Sequence, residues 1–200
     1  MSTTDTNIVE FGLSQIHMGL FTDNGTTVTM GTPMALNGAK NLSVEVDENE
    51  NTFYADNRKY WTVYEDHGVS GELEVAKFTD AIKKEFFGYL ETAQGGLAMI
   101  SGATKPKVYL AFEFKGDAQK RRGILYNVSL GSISRAYSTT EENTEPTTEK
   151  CSFTSTGDVH TSIVLEVLSE GASGYATLFT NPAAPAFPTP GVNVGGDDDD

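Results

Sequence analysis

The sequence predicts an all-β dominated protein, a β-sandwich or barrel of antiparallel strands with one flanking α-helix, and three observations carry that expectation. Apolar and polar residues alternate at period two in several separate stretches. One stretch alone repeats its apolar residues every four positions. No apolar run approaches the roughly 20 residues that span a bilayer.

The strands follow in chain order. Leu42, Val44 and Val46 alternate with Ser43, Glu45 and Asp47, and Leu73 and Val75 alternate with Glu72 and Glu74. Val108, Leu110, Phe112 and Phe114 are expected on one face of a third strand, and Ile124, Tyr126, Val128 and Leu130 on one face of a fourth. Thr161, Ile163, Leu165 and Val167 complete the set. Such alternation is the mark of half-buried antiparallel strands, one face on a core and one in water.

The exception is "FTDAIKKEFFGYLETAQGG", where Phe78, Ile82, Phe86 and Leu90 share a helical face. Thr79 is placed to cap the start, Asp80 suits the positive end of the helix dipole, and Gly95-Gly96 stops the run. A helix over about 79–92 is expected to cover a barrel mouth or an open sheet edge.

Between these elements, "KGDAQKRRG" at 115–123 reads as a solvated hairpin tip, and "STTEENTEPTTEK" at 138–150 as an exposed acidic loop. Residues 1–180 are read as one domain. Residues 181–200 hold four of the seven prolines, then glycines, then Asp197–Asp200, so an extended linker with a disordered acidic end is expected there.

Composition narrows the function. Fourteen Lys and Arg against 28 Asp and Glu leave a net charge of −14, which disfavours gripping nucleic acid or anionic lipid. The single cysteine, Cys151, excludes an intrachain disulfide and heads an alternating run, so it reads as a small core residue. "MSTTDTNIVEFG" lacks the cationic start and apolar core of a secretory signal, so a soluble chain with no membrane partner is expected.

Motifs for chemistry fail one by one. "DENENTFYADNR" from Asp47 begins like a calcium loop, but Thr52 stands where a Gly is required and Arg58 where a bidentate Glu is required. His17, His67 and His160 have no metal-ligand spacing, and no phosphate-binding glycine loop or nucleophile elbow is present. No enzyme, cofactor or metal is expected.

One stretch remains unexplained by strands alone. "ENTFYADNRKYWTVYEDHG" at 50–68 mixes Phe53, Tyr54, Tyr60, Trp61 and Tyr64 with many charges, which suits a surface that meets another surface. Residues 60–64 alternate cleanly and read as a strand.

Three segments carry a family resemblance: "MALNGAKNLSVEVDENENTFYADNRKYW", "GVSGELEVAKFTDAIKKEFFGYL", and the run from "KVYLAFEFKGD" to "TTEKCSFT". Over residues 8–168 the chain resembles the major tail protein of long, non-contractile-tailed bacteriophages of Gram-positive hosts. The resemblance implies a β domain with one helix whose copies form six-membered rings, stacked into a tail tube through which genome DNA passes without specific binding. It implies a virion location, with copies of itself, a tape measure protein, and tail terminator and distal tail proteins as partners.

Residues 47–61 resemble the long loop or hairpin that reaches between rings. Phe53, Tyr54 and Trp61 would then be apolar anchors, Asp56, Asn57 and Arg58 would set register through charge-assisted bonds, and Ala55 and Tyr60 would complete the contact. Two alternatives stand beside this reading: a carbohydrate-binding β-sandwich stacking Tyr54, Tyr60 and Trp61 on sugar rings, and a type VI secretion-like tube protein.

Overall fold

A computed structural model describes residues 12–55, 58–117, 120–137 and 147–186, with side chains described for all of these except 49–65. The chain runs β1 (Leu13–Asp23), β2 (Val28–Met30), β3 (Met34–Ala35), β4 (Ala39–Ala55) and β5 (Arg58–Val75) into the helix α1 (Asp80–Phe87). It continues through β6 (Tyr89–Glu91), β7 (Leu97–Met99), β8 (Val108–Phe114), β9 (Arg122–Arg135), β10 (Glu149–Ser155) and β11 (Leu165–Leu168). β6 and β7 form a separate hairpin, and the other nine strands make one antiparallel sheet in the order β2-β1-β8-β9-β10-β5-β4. β3 pairs beside β1, and β11 beside β9.

The sheet curls so that β1 and β4 come alongside each other with no ladder described between them. Its concave side holds the main core, including Ile16, Met18, Leu73, Val75, Leu110, Leu125, Val128 and Phe153. Phe78, Ile82, Phe86 and Phe87 bring the α1 region onto that core, as the four-residue spacing requires.

The helix is shorter than the sequence suggests. Thr79 caps its start by accepting from the Ile82 amide, and Gly88 ends it at φ 69, donating its amide to the Lys83 carbonyl. That left-handed turn costs glycine little and breaks the periodicity. Leu90 therefore lies on β6 and is 60% exposed, and Gly95-Gly96 lie between β6 and β7.

The expectation of half-buried strands fails for β8 and β9. Tyr109, Ala111, Ile124 and Tyr126 face a second core, closed by Phe21 and by Leu178 from the segment after β11. Burial on both faces follows from that C-terminal cover. It also separates residues expected together: Val108 pairs with Val128 and Leu110 with Leu125, so Tyr109 faces both Tyr126 and Asn127. This bulge, with Asn127 at φ 48, puts Ile124 and Tyr126 on one side of the sheet and Val128 and Leu130 on the other.

β1 was not legible as a strand, because a second bulge interrupts its alternation: Ser14 pairs with Glu113 and His17 with Ala111, with Gln15 at φ 51. In 161–167 only Leu165–Leu168 form a strand. Asp158 organises the preceding turn by accepting from the His160 and Thr161 amides. Packing also continues past residue 180, where Pro182 and Pro185 are buried, so the expected start of a free linker at 181 is moved; residues 187–200 lie outside the described residues.

Candidate functional site

The longest elements are adjacent. β4 and β5, of 17 and 18 residues, form one antiparallel hairpin from Ala39↔Val75 to Ala55↔Arg58. β10 supports only its base, pairing with β5 from Val75 to Val69, where Ser155 ends the ladder. Beyond that point, among the described residues, β4 and β5 pair only with each other. Residues 48–55 and their partners thus form a two-stranded ribbon about 26 Å long.

The ribbon leaves the sheet through a bulge. Val46 pairs with Val69 and Glu48 with Asp66, so Asp47 faces both His67 and Gly68. Gly68 has φ 116, a conformation that side-chain-bearing residues rarely adopt, and a Cβ there would lie 2.2 Å from the Ser155 carbonyl oxygen. Across the bulge the Ser70 hydroxyl donates to Asp47 at 2.8 Å. A bulge adds twist and bend, so this one sets the angle at which the ribbon departs.

The predicted contact residues sit on this ribbon. The ladder sets Phe53 opposite Trp61, Tyr54 opposite Lys59 and Ala55 opposite Arg58, and places Tyr60 as the extra residue of a further bulge at the Phe53–Tyr54 step. Asp56 and Asn57, at the turn, lie outside the described residues. Of the expected loop or hairpin over 47–61, the backbone is a hairpin whose strands run to Ala55 and from Arg58.

At the base of the hairpin, one sheet face is polar and paired. Lys40 reaches Glu74 at 3.0 Å, Lys150 reaches Glu72 at 2.8 Å, and the Thr148 hydroxyl donates to Glu74 at 2.7 Å. The Thr148 bond first, and then Lys40, holds the Glu74 carboxyl down at about 2. Glu45 and Asp47 continue this side towards the ribbon, at alternate positions from Ser43. On the opposite side of β4, Val44 and Val46 are 37% and 56% exposed, contrary to their expected place in the core: the strand outruns the core beneath it.

Some structural residues gave no sequence signal. Glu149, in the stretch read as a loop, is 2% exposed and accepts from the Phe78 amide at 2.6 Å, from Lys83 at 2.9 Å, and from Arg135. It joins the entry to α1 to β9 and β10. The expected solvated tip at 115–123 is also anchored: Arg122 bonds Glu113 at 2.9 Å and lies over the rings of Tyr175 and Phe179, 4.0 and 4.5 Å from their centroids. Arg121 pairs with the buried carboxylate of Asp117.

Cys151 is buried and its thiol is pushed up to about 12 by that burial, which holds it protonated at neutral pH. Among the described residues no group of three or more His, Cys, Asp or Glu could hold a metal ion, and no helix is long and apolar enough to cross a membrane.

No protein-family model and no curated protein matches the chain. Solved structures do resemble it. The anti-feeding prophage cap, described as its tube-terminating cap, is 9% identical over 84% of this chain and 99% of that chain, with a TM-score of 0.47. A chain of the PVC sheath-tube complex, from an extracellular contractile injection system in its extended state, is 9% identical over the same shares with a TM-score of 0.46. A chain of the PVC sheath/tube terminator is 11% identical over 80% of this chain and 99% of that chain, with a TM-score of 0.43. At such identities the likeness transfers no residue role.

Proposed function

We propose that this chain is a structural subunit that assembles with copies of itself into stacked rings forming a tail tube. The observation that carries the reading is the β4–β5 ribbon. An isolated two-stranded hairpin is marginal in water, and long exposed strand edges invite pairing. A hairpin held at its base by β10 and lacking any described partner beyond Ser155 is suited to being completed by another subunit. The sequence resemblance to major tail proteins of non-contractile-tailed phages supplies the type of assembly: six-membered rings in a virion, with DNA passing through the tube.

Within this proposal Phe53, Tyr54 and Trp61 anchor the ribbon on a neighbouring ring, while Ala55, Asp56, Asn57, Arg58 and Tyr60 surround them. The polar face bearing Glu45, Asp47, Glu72 and Glu74 is the proposed channel wall. With Glu72 and Glu74 paired to Lys150 and Lys40, the negative charge left on it by Glu45 and Asp47 would limit sticking by DNA, acting within about 8 Å at physiological salt. Contacts with a tape measure protein and with terminator and distal tail proteins belong to the same proposal.

Electron microscopy of the purified protein across a concentration series tests it. Rings or tubes are expected, and a chain that stays monomeric throughout overturns the reading. Phe53→Ala with Tyr54→Ala is expected to stop tube growth while leaving a β-rich circular dichroism spectrum. Tubes of normal length from that variant remove the ribbon from the mechanism. A monomer whose thermal midpoint rises with a glycan would instead select the carbohydrate-binding alternative.

A further inference from the structure

The segment between β7 and β8 folds against the end of α1 and the later part of β9, leaving a cavity of about 220 Å³. Phe87, Met99 and Ile100 make its apolar wall, and Lys105 and Ser132 stand on its polar side. Met99 and Ile100 are 63% and 45% exposed, so large apolar surface is left uncovered at the rim.

Lys105 is the unusual member. Its ammonium donates to three neutral oxygens, the Gly131 carbonyl at 2.6 Å and the Leu130 carbonyl and Ser132 hydroxyl at 3.3 Å each. Among the described residues it has no carboxylate partner. Every other lysine or arginine whose side chain is described and not exposed does have one: Lys83, Arg121, Arg122, Arg135 and Lys150. The contrast is sharp in a chain where 28 Asp and Glu stand against 14 Lys and Arg. Cys151 is the one acidic group that acts on Lys105, and its thiol stays protonated. Burial pulls the Lys105 amine below the usual lysine value, the direction of a cation with no negative charge beside it. Ser132 adds a second donor: its oxygen accepts from Lys105, and no acceptor for its own hydroxyl hydrogen is described.

Charge and shape together specify a ligand. A carboxylate supplies the missing negative charge and accepts from two adjacent donors, and a charge-assisted bond of that kind is stronger than one to a neutral oxygen. The two 3.3 Å contacts of Lys105 are long, so one of them is readily exchanged for it. The apolar wall calls for hydrocarbon behind the carboxylate, and a volume below the about 300–1,000 Å³ of drug-sized sites limits the ligand to a small acid. We propose that this cavity is a binding site for a small apolar monocarboxylate, with its carboxylate on Lys105 and Ser132 and its hydrocarbon part against Phe87, Met99 and Ile100. The proposal does not depend on the tube reading.

Saturation-transfer difference NMR with hexanoate tests it on the full chain, because the ligand signals can be read whether the protein is monomeric or assembled. Saturable binding is expected, about tenfold or more tighter than that of hexanamide, which has the same shape without the charge. Lys105→Met keeps an apolar stem, removes the charge and is expected to erase that preference, while Lys105→Arg is expected to retain it. Lys107→Met is the control, at an exposed lysine that also lacks a described carboxylate partner, and should change neither ligand. Ile100→Asp, at a half-exposed position on the rim, should weaken both ligands several-fold. The acid-to-amide comparison on the native chain needs no variant, so it decides the matter even where Lys105→Met fails to fold. No saturable hexanoate signal up to about 20 mM, or equal affinity for acid and amide, overturns the proposal. A preference that survives Lys105→Met overturns it as well, by placing the acid elsewhere. Hexanoate binding that is lost on assembly and returns on dilution also overturns it, by assigning Lys105 to a carboxylate of a neighbouring copy.

Discussion

Replacing Gly68 by alanine tests whether the bulge at the root of the β4–β5 ribbon is a built feature. The new Cβ would meet the Ser155 carbonyl oxygen at 2.2 Å and the Thr156 Cα at 3.1 Å, both backbone atoms. Ser155 cannot easily yield, because it is 1% exposed and its hydroxyl donates to the Tyr126 carbonyl. The backbone at φ 116 adds strain for any residue with a side chain. Strain and overpacking each cost about 1–3 kcal/mol, and one local shift of β5 relieves part of both, so a loss of about 2–4 kcal/mol is expected. For a chain of this size that lowers Tm by roughly 5–15 °C. Gly171→Ala is the control, since a Cβ there meets nothing within 4 Å. Thermal melts by circular dichroism provide the assay, followed by electron microscopy of assembly at a temperature where both variants are folded. If Gly68→Ala melts within about 1 °C of the control, the close approach to Ser155 is not a real constraint and the reasoning fails.

Two further outcomes follow from the ion pairs. Glu149→Ala should leave Lys83 buried without its carboxylate and free the entry to α1, costing about 3–5 kcal/mol in denaturant unfolding; a loss below about 1 kcal/mol would show that the cluster is solvated. The second concerns acid. Glu74 is held at about 2 in the fold against an ordinary value near 4.5, so its carboxylate contributes stability above pH 4.5 that is lost as pH falls towards 2. The stability difference between the native chain and Glu74→Gln should therefore shrink from pH 5 to pH 2, and a difference that stays constant across that range would refute the assignment.

What was legible depended on whether local pattern and tertiary contact agreed. Alternation in 42–46, 72–75 and 108–114 located strands, and Thr79, Asp80, Ile82 and Phe86 located the helix start, because caps and periodicity are local properties. The helix end was misplaced because Phe86-Phe87-Gly88 and Leu90 satisfy the same spacing whether or not Gly88 turns left-handed. The aromatic and charged stretch at 50–61 marked the ribbon. Its pairing, and its departure at Gly68, depended on where β10 stops.

Taken alone, the sequence determined the β class, the start of the helix and the acidic composition. Only the tertiary structure decided which strands are buried twice, since Leu178 covers Tyr109 and Tyr126 from a segment that reads as loop. It also decided that Glu149 is interior and that Val44 and Val46 are not, because burial is a property of what packs from elsewhere in the chain. Bulges at Gln15, Gly68 and Asn127 reassign faces without changing composition, so no reading of period two could have found them.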